Sequence, residues 1–347
     1  MRFYTQQHAY YCGVDLHTKM MYLCIMSHDG EILLHRNLKT DPKAFLAAIA
    51  HYREGLVVGV ECVFCWYWLA DLCARERIVF VLGHALYMKA IHGGKTKNDK
   101  VDSHKIAGLL RGGMFPQAYV YPAEMRATRD LLRRRQYLVQ RRAELLAHIQ
   151  NTNSQYNLPA LEKKLDRKSN RVDVPQHFTD PAARKSIEVD LALLDELDAL
   201  IKRLEGHIVR EAKVHDPRNW WRLRSVPGIG EVLGLVMLYE IHDIERFASA
   251  QNFCSYARLV KCAKQSAGKN YGYSGSKIGN AHLKWAFSEA LCLMMRELPQ
   301  AKAFVEAQAK KHGKGKAMSI LTHKLGRAVY YMLKRKEAFD VKYFFAN

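Results

Sequence analysis

The sequence predicts a mixed α/β domain followed by a mostly helical second half, with a long helical arm between them. Three observations point to this. Within about the first 120 residues, apolar or alternating runs of strand length are interleaved with helical patterns. From Pro122 onward, apolar residues recur at helical spacing over stretches far longer than one turn. At 347 residues the chain exceeds the usual size of one compact domain, and its 49% hydrophobic and 25% charged residues exclude global disorder.

Tyr11–His17, Met20–Ser27 and Glu31–Asn37 read as three short strands, the last two joined at Asp29-Gly30, a hairpin turn. Pro42 opens a helix that runs to about His51, and the unbroken apolar run Leu56-Val-Val-Gly-Val60 suits a buried strand. A helix rich in Trp and Leu follows, then the strand Ile78-Val-Phe-Val-Leu82. Three consecutive strands and then strands separated by helices make a mixed sheet with helices packed on it. The order β-β-β-α-β-α-β-α is that of the ribonuclease H-like fold.

From Pro122 to about Tyr156 the pattern is one helix, with Leu131, Leu138 and Leu145 seven apart and Arg133-Arg134-Arg135 and Arg141-Arg142 on the other faces. Beyond a polar stretch at 157–185, Leu194, Leu197, Ile201, Leu204 and Ile208 form a heptad seam. The spacing fits an intramolecular helical hairpin and a coiled-coil dimerisation arm equally. After Trp220-Trp221 the chain is mostly helical. There Ser225-Val-Pro-Gly-Ile-Gly230 resembles the turn of a helix-hairpin-helix unit, in which Gly228 and Gly230 would let backbone N–H groups approach a phosphate. Lys310-Lys-His-Gly-Lys-Gly-Lys316 reads as a basic connector between two helices. The expected domains are 1–121, 122–215 and 216–347.

Fifty-four Lys and Arg against 34 Asp and Glu leave a formal charge of +20, which calls for a polyanionic partner, most often nucleic acid. Arg134, Arg141, Lys95 and Lys97 are the candidate phosphate contacts, beside Gly228 and Gly230. No apolar run approaches a membrane-spanning length, and MRFYTQQHAYY lacks the basic-then-apolar pattern of a signal peptide, so a cytoplasmic location is expected. The eight cysteines mostly sit in apolar stretches and read as reduced, buried hydrophobes. Cys62-Val-Phe-Cys65 has metal-ligand spacing, with Cys73 further on, but no second such pair lies at zinc-finger distance.

Four acids stand out by position. Asp15 lies within the strand Cys12-Gly-Val-Asp-Leu-His17, and Glu61 ends the apolar strand. Asp99 and Asp102 are three apart at the start of a helix, on one face. Carboxylates on a central strand, on its neighbour and on a flanking helix can converge and, as hard oxygen ligands, bind Mg²⁺, with Mn²⁺ as a substitute. Paired ions at such a point would serve phosphodiester cleavage. Asp15 has the weakest purely structural explanation, because a buried carboxylate is costly without a cation.

These residues resemble a family. Gly13-Val-Asp15, Glu61 and Asn98-Asp99-Lys-Val-Asp102 look like the acidic tetrad of the DEDD transposases, the "one-ten" family of insertion-sequence recombinases that includes Piv-type DNA invertases. The second half matches in family order: Leu223-Arg-Ser-Val-Pro-Gly-Ile-Gly230, Arg246-Phe247, Tyr256-Ala-Arg-Leu259, Gln265-Ser-Ala-Gly268, Ile278-Gly-Asn280 and Leu283-Lys-Trp285. Three features depart from the commoner pattern: Cys62-Val-Phe-Cys65-Trp66 after the glutamate, Leu259-Val-Lys-Cys-Ala263 before the serine, and the alanine that separates Ser266 from Gly268.

The resemblance implies a RuvC-like domain with an inserted coiled coil, then a transposase domain carrying a serine nucleophile. By block order that serine is Ser266, with Ser274 and Ser276 as rivals. It further implies a bridge RNA as guide and donor and target DNA as substrates. Dimers would pair into a tetramer whose site halves come from different subunits, and exchange would pass through a phosphoserine and a Holliday junction. Two other readings use the same residues: a metal-only Holliday-junction endonuclease, and a nucleic-acid-binding protein with a degenerate site.

Overall fold

The computed structural model of the chain describes residues 2–92, 98–212, 216–274 and 278–346. Lys95, Lys97 and Ser276 lie outside them. The described residues divide into two compact units, Met1–Glu124 and Met125–Asn347.

The first unit opens with the two-residue strand β1 (Phe3–Tyr4), followed by β2 (Tyr10–Leu16), β3 (Met20–Ser27) and β4 (Ile32–Lys39). Helix α1 (Pro42–Ile49) starts on the cap of Asp41, whose carboxylate accepts the Ala44 N–H, and on Pro42 at its first position. Then come β5 (Leu56–Glu61), α2 (Tyr67–Arg75), β6 (Val79–Gly83), α3 (Ala85–His92), α4 (Asp99–Arg111) and β7 (Phe115–Pro116). Five strands form one sheet in the order β4-β3-β2-β5-β6. The hairpin strands are antiparallel, and β5 and β6 run parallel to β2. A separate ribbon pairs β1 with β7.

Helix α4 packs directly on this sheet because glycines clear the way. Gly13 and Gly59 are register partners on β2 and β5. A Cβ at Gly13 would lie 2.2 Å from the Ser103 carbonyl oxygen, and one at Gly59 would lie 2.5 Å from Leu110 Cδ1. The helix therefore crosses the central strands at backbone distance. The opposite face is closed by a core of Phe45, Ile49, Trp66, Leu69 and Cys73 over Val14, Val58 and Val60.

In the second unit, α5 (Ala123–Gln155) and α6 (Pro181–Glu211) are the long helices expected from the leucine spacing, with α6 starting four residues before the end of the polar stretch. They pair antiparallel within the chain. Arg135 bonds Glu205, Arg142 bonds Asp198 and His148 bonds Asp190, each at 2.5 Å, so position rises along one helix as it falls along the other. Of the heptad seam, Leu194 and Ile208 are fully buried. At the far end Ile149, Leu165, Phe178, Ile187 and Leu194 make a small core. Buried Arg171 ties the connecting segment to α6 through Asp195 and Asp198, both at 2.6 Å.

The remaining elements are α7 (Pro217–Arg224), α8 (Glu231–Ile241), α9 (Ala250–Tyr256), the hairpin β8 (Cys262–Ser266) and β9 (Lys269–Ser274), α10 (Ala281–Glu297), α11 (Pro299–His312), α12 (Lys314–Arg335) and α13 (Val341–Ala346). The helices among them share one core that includes Leu235, Phe253, Phe287, Leu325 and Val329. The basic stretch 310–316 is no separate connector. Its residues belong to the ends of α11 and α12, and Gly313 alone separates the two helices. Two cysteines depart from the buried expectation, since Cys62 and Cys292 are exposed.

Candidate active site

Parallel pairing of β2 with β5 brings Val14 beside Val60, so Asp15 and Glu61 are the next residues on adjacent strand ends. Side chains alternate along a strand, so both lie on the face that Gly13 and Gly59 present to α4. Helix α4 begins at that same end. Asn98 caps it by accepting the Lys100 N–H at 2.9 Å, which puts Asp99 and Asp102 in the first turn.

One residue joins strand to helix. His17 Nε2 lies 3.3 Å from Asp15 Oδ2 and 3.7 Å from Asp99 Oδ1. One ligand atom from each of Asp15, His17 and Asp99 falls within 4.8 Å of the other two, the one such constellation of His, Cys, Asp and Glu among the described residues. Burial raises the Asp15 carboxyl above its ordinary value; His17 opposes this, while the charges of Asp99 and Asp102 add to it. Asp102 bonds Lys105 at 3.2 Å. Glu61 lies on the strand end outside the tight group. Two carboxylates and an imidazole at this spacing are a donor set that fits a divalent cation, and the mutual repulsion of the acids is what a cation would relieve.

The cysteine pair does not join this group. Cys65 is half-buried, its thiol donates to the Leu16 carbonyl at 3.5 Å, and burial raises its pKa.

In the second unit Arg246, Tyr256 and Asn280, from three of the segments that carried the family resemblance, gather around one buried carboxylate. Glu240, on α8, is 2% exposed. Its oxygens accept from Arg133 Nε at 2.6 Å, Arg133 Nη2 at 3.0 Å, Arg129 Nε at 3.1 Å and Asn280 Nδ2 at 2.7 Å. Asn280 also caps α10 by accepting the His282 and Leu283 N–H groups, and its Nδ2 reaches the Tyr256 hydroxyl at 3.2 Å. The Asn280 N–H donates to the Tyr256 carbonyl at 2.6 Å, and Arg258 Nε donates to the Gly279 carbonyl at 2.9 Å. Arg246 donates to the Glu240 and Ile241 carbonyls and stacks on Phe247 and Tyr256. These bonds close the base of the segment 259–279, which carries the β8–β9 hairpin.

Ser266 is the last residue of β8, exposed beside a two-residue turn of Ala267 and Gly268. Ser274 ends β9.

Of the other expected contacts, Gly228, Gly230, Arg134 and Arg141 lie within the described residues. Gly228 has φ +86°, and a Cβ there would meet Met294 N at 2.5 Å and Ala290 O at 2.6 Å. Its N–H donates to Glu297 Oε2 at 2.9 Å, so helix packing already requires glycine and occupies this amide. Gly230 caps α8 with open space around it. Arg134 and Arg141 are exposed on α5 and flank the Tyr137 ring at 5.4 and 5.2 Å. Arg141 also pairs with Glu144.

Two family models match the chain in these regions. A transposase model of the DEDD type found in IS110 matches residues 12–157, and a model of the IS116/IS110/IS902 transposase family matches residues 221–306. Together they cover about two thirds of the chain, with every acid and the serine inside them. The chain belongs to the IS110 family of DEDD transposases.

This IS110-family protein is similar along nearly its whole length to curated relatives. It is 21% identical over 342 residues to the transposase for insertion sequence element IS1111A of Coxiella burnetii, across 94% of this chain and 90% of the relative. It is 22% identical over 408 residues to an uncharacterised 44.8 kDa protein of insertion element IS116 from Streptomyces clavuligerus, across 96% and 97%. It is an insertion-sequence transposase, a class of enzyme that cuts and rejoins DNA. Among the described residues no helix is long and apolar enough to cross a membrane.

Proposed function

We propose that this transposase is a site-specific DNA recombinase that cuts through a RuvC-like acidic site and a serine nucleophile, directed by a bridge RNA. The observation that carries the reading is the placement of Asp15 on a central strand end and Asp99 on the abutting helix, bridged by His17. The strand order β4-β3-β2-β5-β6, with three antiparallel strands leading into parallel β5 and β6, supports the ribonuclease H-like assignment.

In this reading Asp15, Glu61, Asp99 and Asp102 hold Mg²⁺ or Mn²⁺, with His17 at the mouth of the site. A bound cation supplies charge for the phosphate and lowers the cost of displacing its alkoxide. Asp15 and Asp99 contribute opposed carboxylates from two rigid elements, so their separation is set by the packing of α4 on the glycine pair. Ser266 Oγ forms a bond to phosphorus as the bond from phosphorus to the leaving deoxyribose oxygen breaks, and the serine proton is finally held by that released hydroxyl. One ester replaces another, so the cut end keeps the energy needed for rejoining.

The chain would divide the work as 1–121, 122–215 and 216–347: acidic site, basic helical arm, serine-bearing domain. Acids of one subunit would serve the serine of another in a tetramer of paired dimers, with exchange through a Holliday junction. Exposed arginines such as Arg134 and Arg141, with Lys95, Lys97 and the turn at Gly230, would contact phosphates of RNA and DNA, and base pairing would choose the target; the Gly228 amide is committed to Glu297.

The test is Asp15→Asn in the full chain, assayed on labelled element-end DNA. Cleavage is expected to be abolished with DNA and RNA binding retained; wild type is expected to gain melting temperature with Mn²⁺ and the variant to gain none. Wild-type cleavage in the variant would remove the metal-site reading. Sequencing the RNA that copurifies with the protein tests the guide: reads from the element's own non-coding end are expected, and bulk cellular RNA alone would refute it.

A further inference from the structure

We propose that Lys269 holds the scissile phosphate against Ser266 and supplies the fixed positive charge on the serine's side of the reaction. The proposal rests on the reading of Ser266 as nucleophile and adds a second residue to it.

The basis is strand register. β8 and β9 are antiparallel and joined by only Ala267 and Gly268, both in the left-handed region at φ +48° and +73°. That is the pattern of a tight two-residue hairpin turn, whose flanking residues are held face to face. Those residues are Ser266 and Lys269, paired in register. Directly opposed residues of an antiparallel pair send their side chains to one face with Cβ atoms about 4.5–5.5 Å apart. A hydroxyl on the short arm and an ammonium on the long one then share one patch of surface. The lysine stem is long enough to reach an oxygen on a phosphorus atom bonded to Ser266 Oγ.

Both residues are exposed, and Gly268 at the tip has open space where a side chain would stand, so a DNA phosphate can reach the pair. A type I′ turn favours asparagine or glycine at its first central position, yet alanine stands there. The tight turn is thus kept against local preference, and the tight turn is what makes Ser266 and Lys269 neighbours. The chain on either side of the hairpin is held together as well: Arg258 bonds Gly279, Tyr256 bonds Asn280, and Asn280 bonds buried Glu240.

The chemistry needs such a charge. Attack on a phosphodiester builds negative charge on the non-bridging oxygens, and a positioned cation there is stronger in the transition state than in the ground state. Lysine serves as a point charge, so arginine can replace it in part and a neutral side chain cannot.

The test uses full-length wild type, Lys269→Ala and Lys269→Arg on nicked DNA carrying the element's end, measuring single-turnover formation of the SDS-resistant adduct at saturating DNA. Removing one such contact costs about 10²-fold in rate; Lys269→Ala is expected to show a loss of that order with DNA affinity little changed, and Lys269→Arg to recover most of it. A methylphosphonate at the scissile position removes the charged oxygen and should narrow the gap between wild type and Lys269→Ala. An adduct on Ser266 formed by Lys269→Ala at the wild-type rate, or a loss that saturating DNA restores, would overturn the role of Lys269 and leave the nucleophile standing. If wild type forms no adduct on Ser266, the nucleophile assignment fails, and the role of Lys269 with it.

Discussion

Replacing Glu240 with Gln should destabilise the helical unit severely although only one atom changes identity. The carboxylate is 2% exposed and faces two guanidiniums and an amide donor. Burial by itself would raise its pKa, but the Arg133 hydrogen bonds, the charges of Arg129 and Arg133 and the Asn280 amide bring it down from 4.5 to about 2. That shift corresponds to roughly 3 kcal/mol at about 1.4 kcal/mol per unit. Breaking a buried ion pair by removing one partner costs about 3–5 kcal/mol, since the remaining charge stays buried. Arg129, 8% exposed, would be that charge. For a unit of this size each kcal/mol moves the melting temperature about 2–4 °C, so a drop of roughly 6–20 °C is expected. Thermal unfolding of full-length wild type and Glu240→Gln measures it. The sign with pH follows from the depressed pKa: the contribution is complete above pH 4.5 and is lost as pH falls towards 2, so the two curves should converge in acid. Melting of the variant within a degree of wild type at pH 7 would refute the reasoning.

Two further substitutions test other parts of the structure. Gly228→Ala should lower stability markedly, because the residue has φ +86° and its new Cβ would strike the backbone of α10; thermal unfolding reads this, and an unchanged transition would mean the turn has room to shift. Arg134→Ala with Arg141→Ala should weaken nucleic-acid binding and flatten its dependence on salt; an unaltered slope in filter binding would move the polyanion path elsewhere.

The α/β half was readable because its strands are bounded apolar runs, and Met20–Ser27 and Leu56–Glu61 fall where hydropathy puts them. What hydropathy cannot supply is pairing between distant short pieces. Phe3–Tyr4 with Phe115–Pro116 is two residues on each side, too short for any periodicity. The β8–β9 hairpin escaped for a different reason: its turn begins with Ala267, which carries none of the usual turn chemistry. In the site, the acids stood out as carboxylates in apolar or helix-start positions. His17 did not, although it stands two beyond Asp15, just past the end of β2, where the extended spacing brings it back to the same side. Glu240 was missed as well. It interrupts the apolar run of α8, and a lone carboxylate in such a run calls for cationic partners, here Arg129 and Arg133. The seam of α6 was ambiguous because heptad spacing does not name its partner, and the ion pairs to α5 supply that partner within the chain.

The phosphoserine mechanism is tested most directly by mapping the protein–DNA bond. Wild-type protein incubated with a nicked suicide substrate and divalent metal, then denatured and digested, should yield one DNA-linked peptide with the phosphate on Ser266, and Ser266→Ala should lose both the adduct and cleavage. A link to Ser274 or Ser276 would keep the mechanism and move the residue. Cleavage by Ser266→Ala at the wild-type rate, with no covalent species in either protein, would contradict the serine mechanism and leave a metal-dependent nuclease.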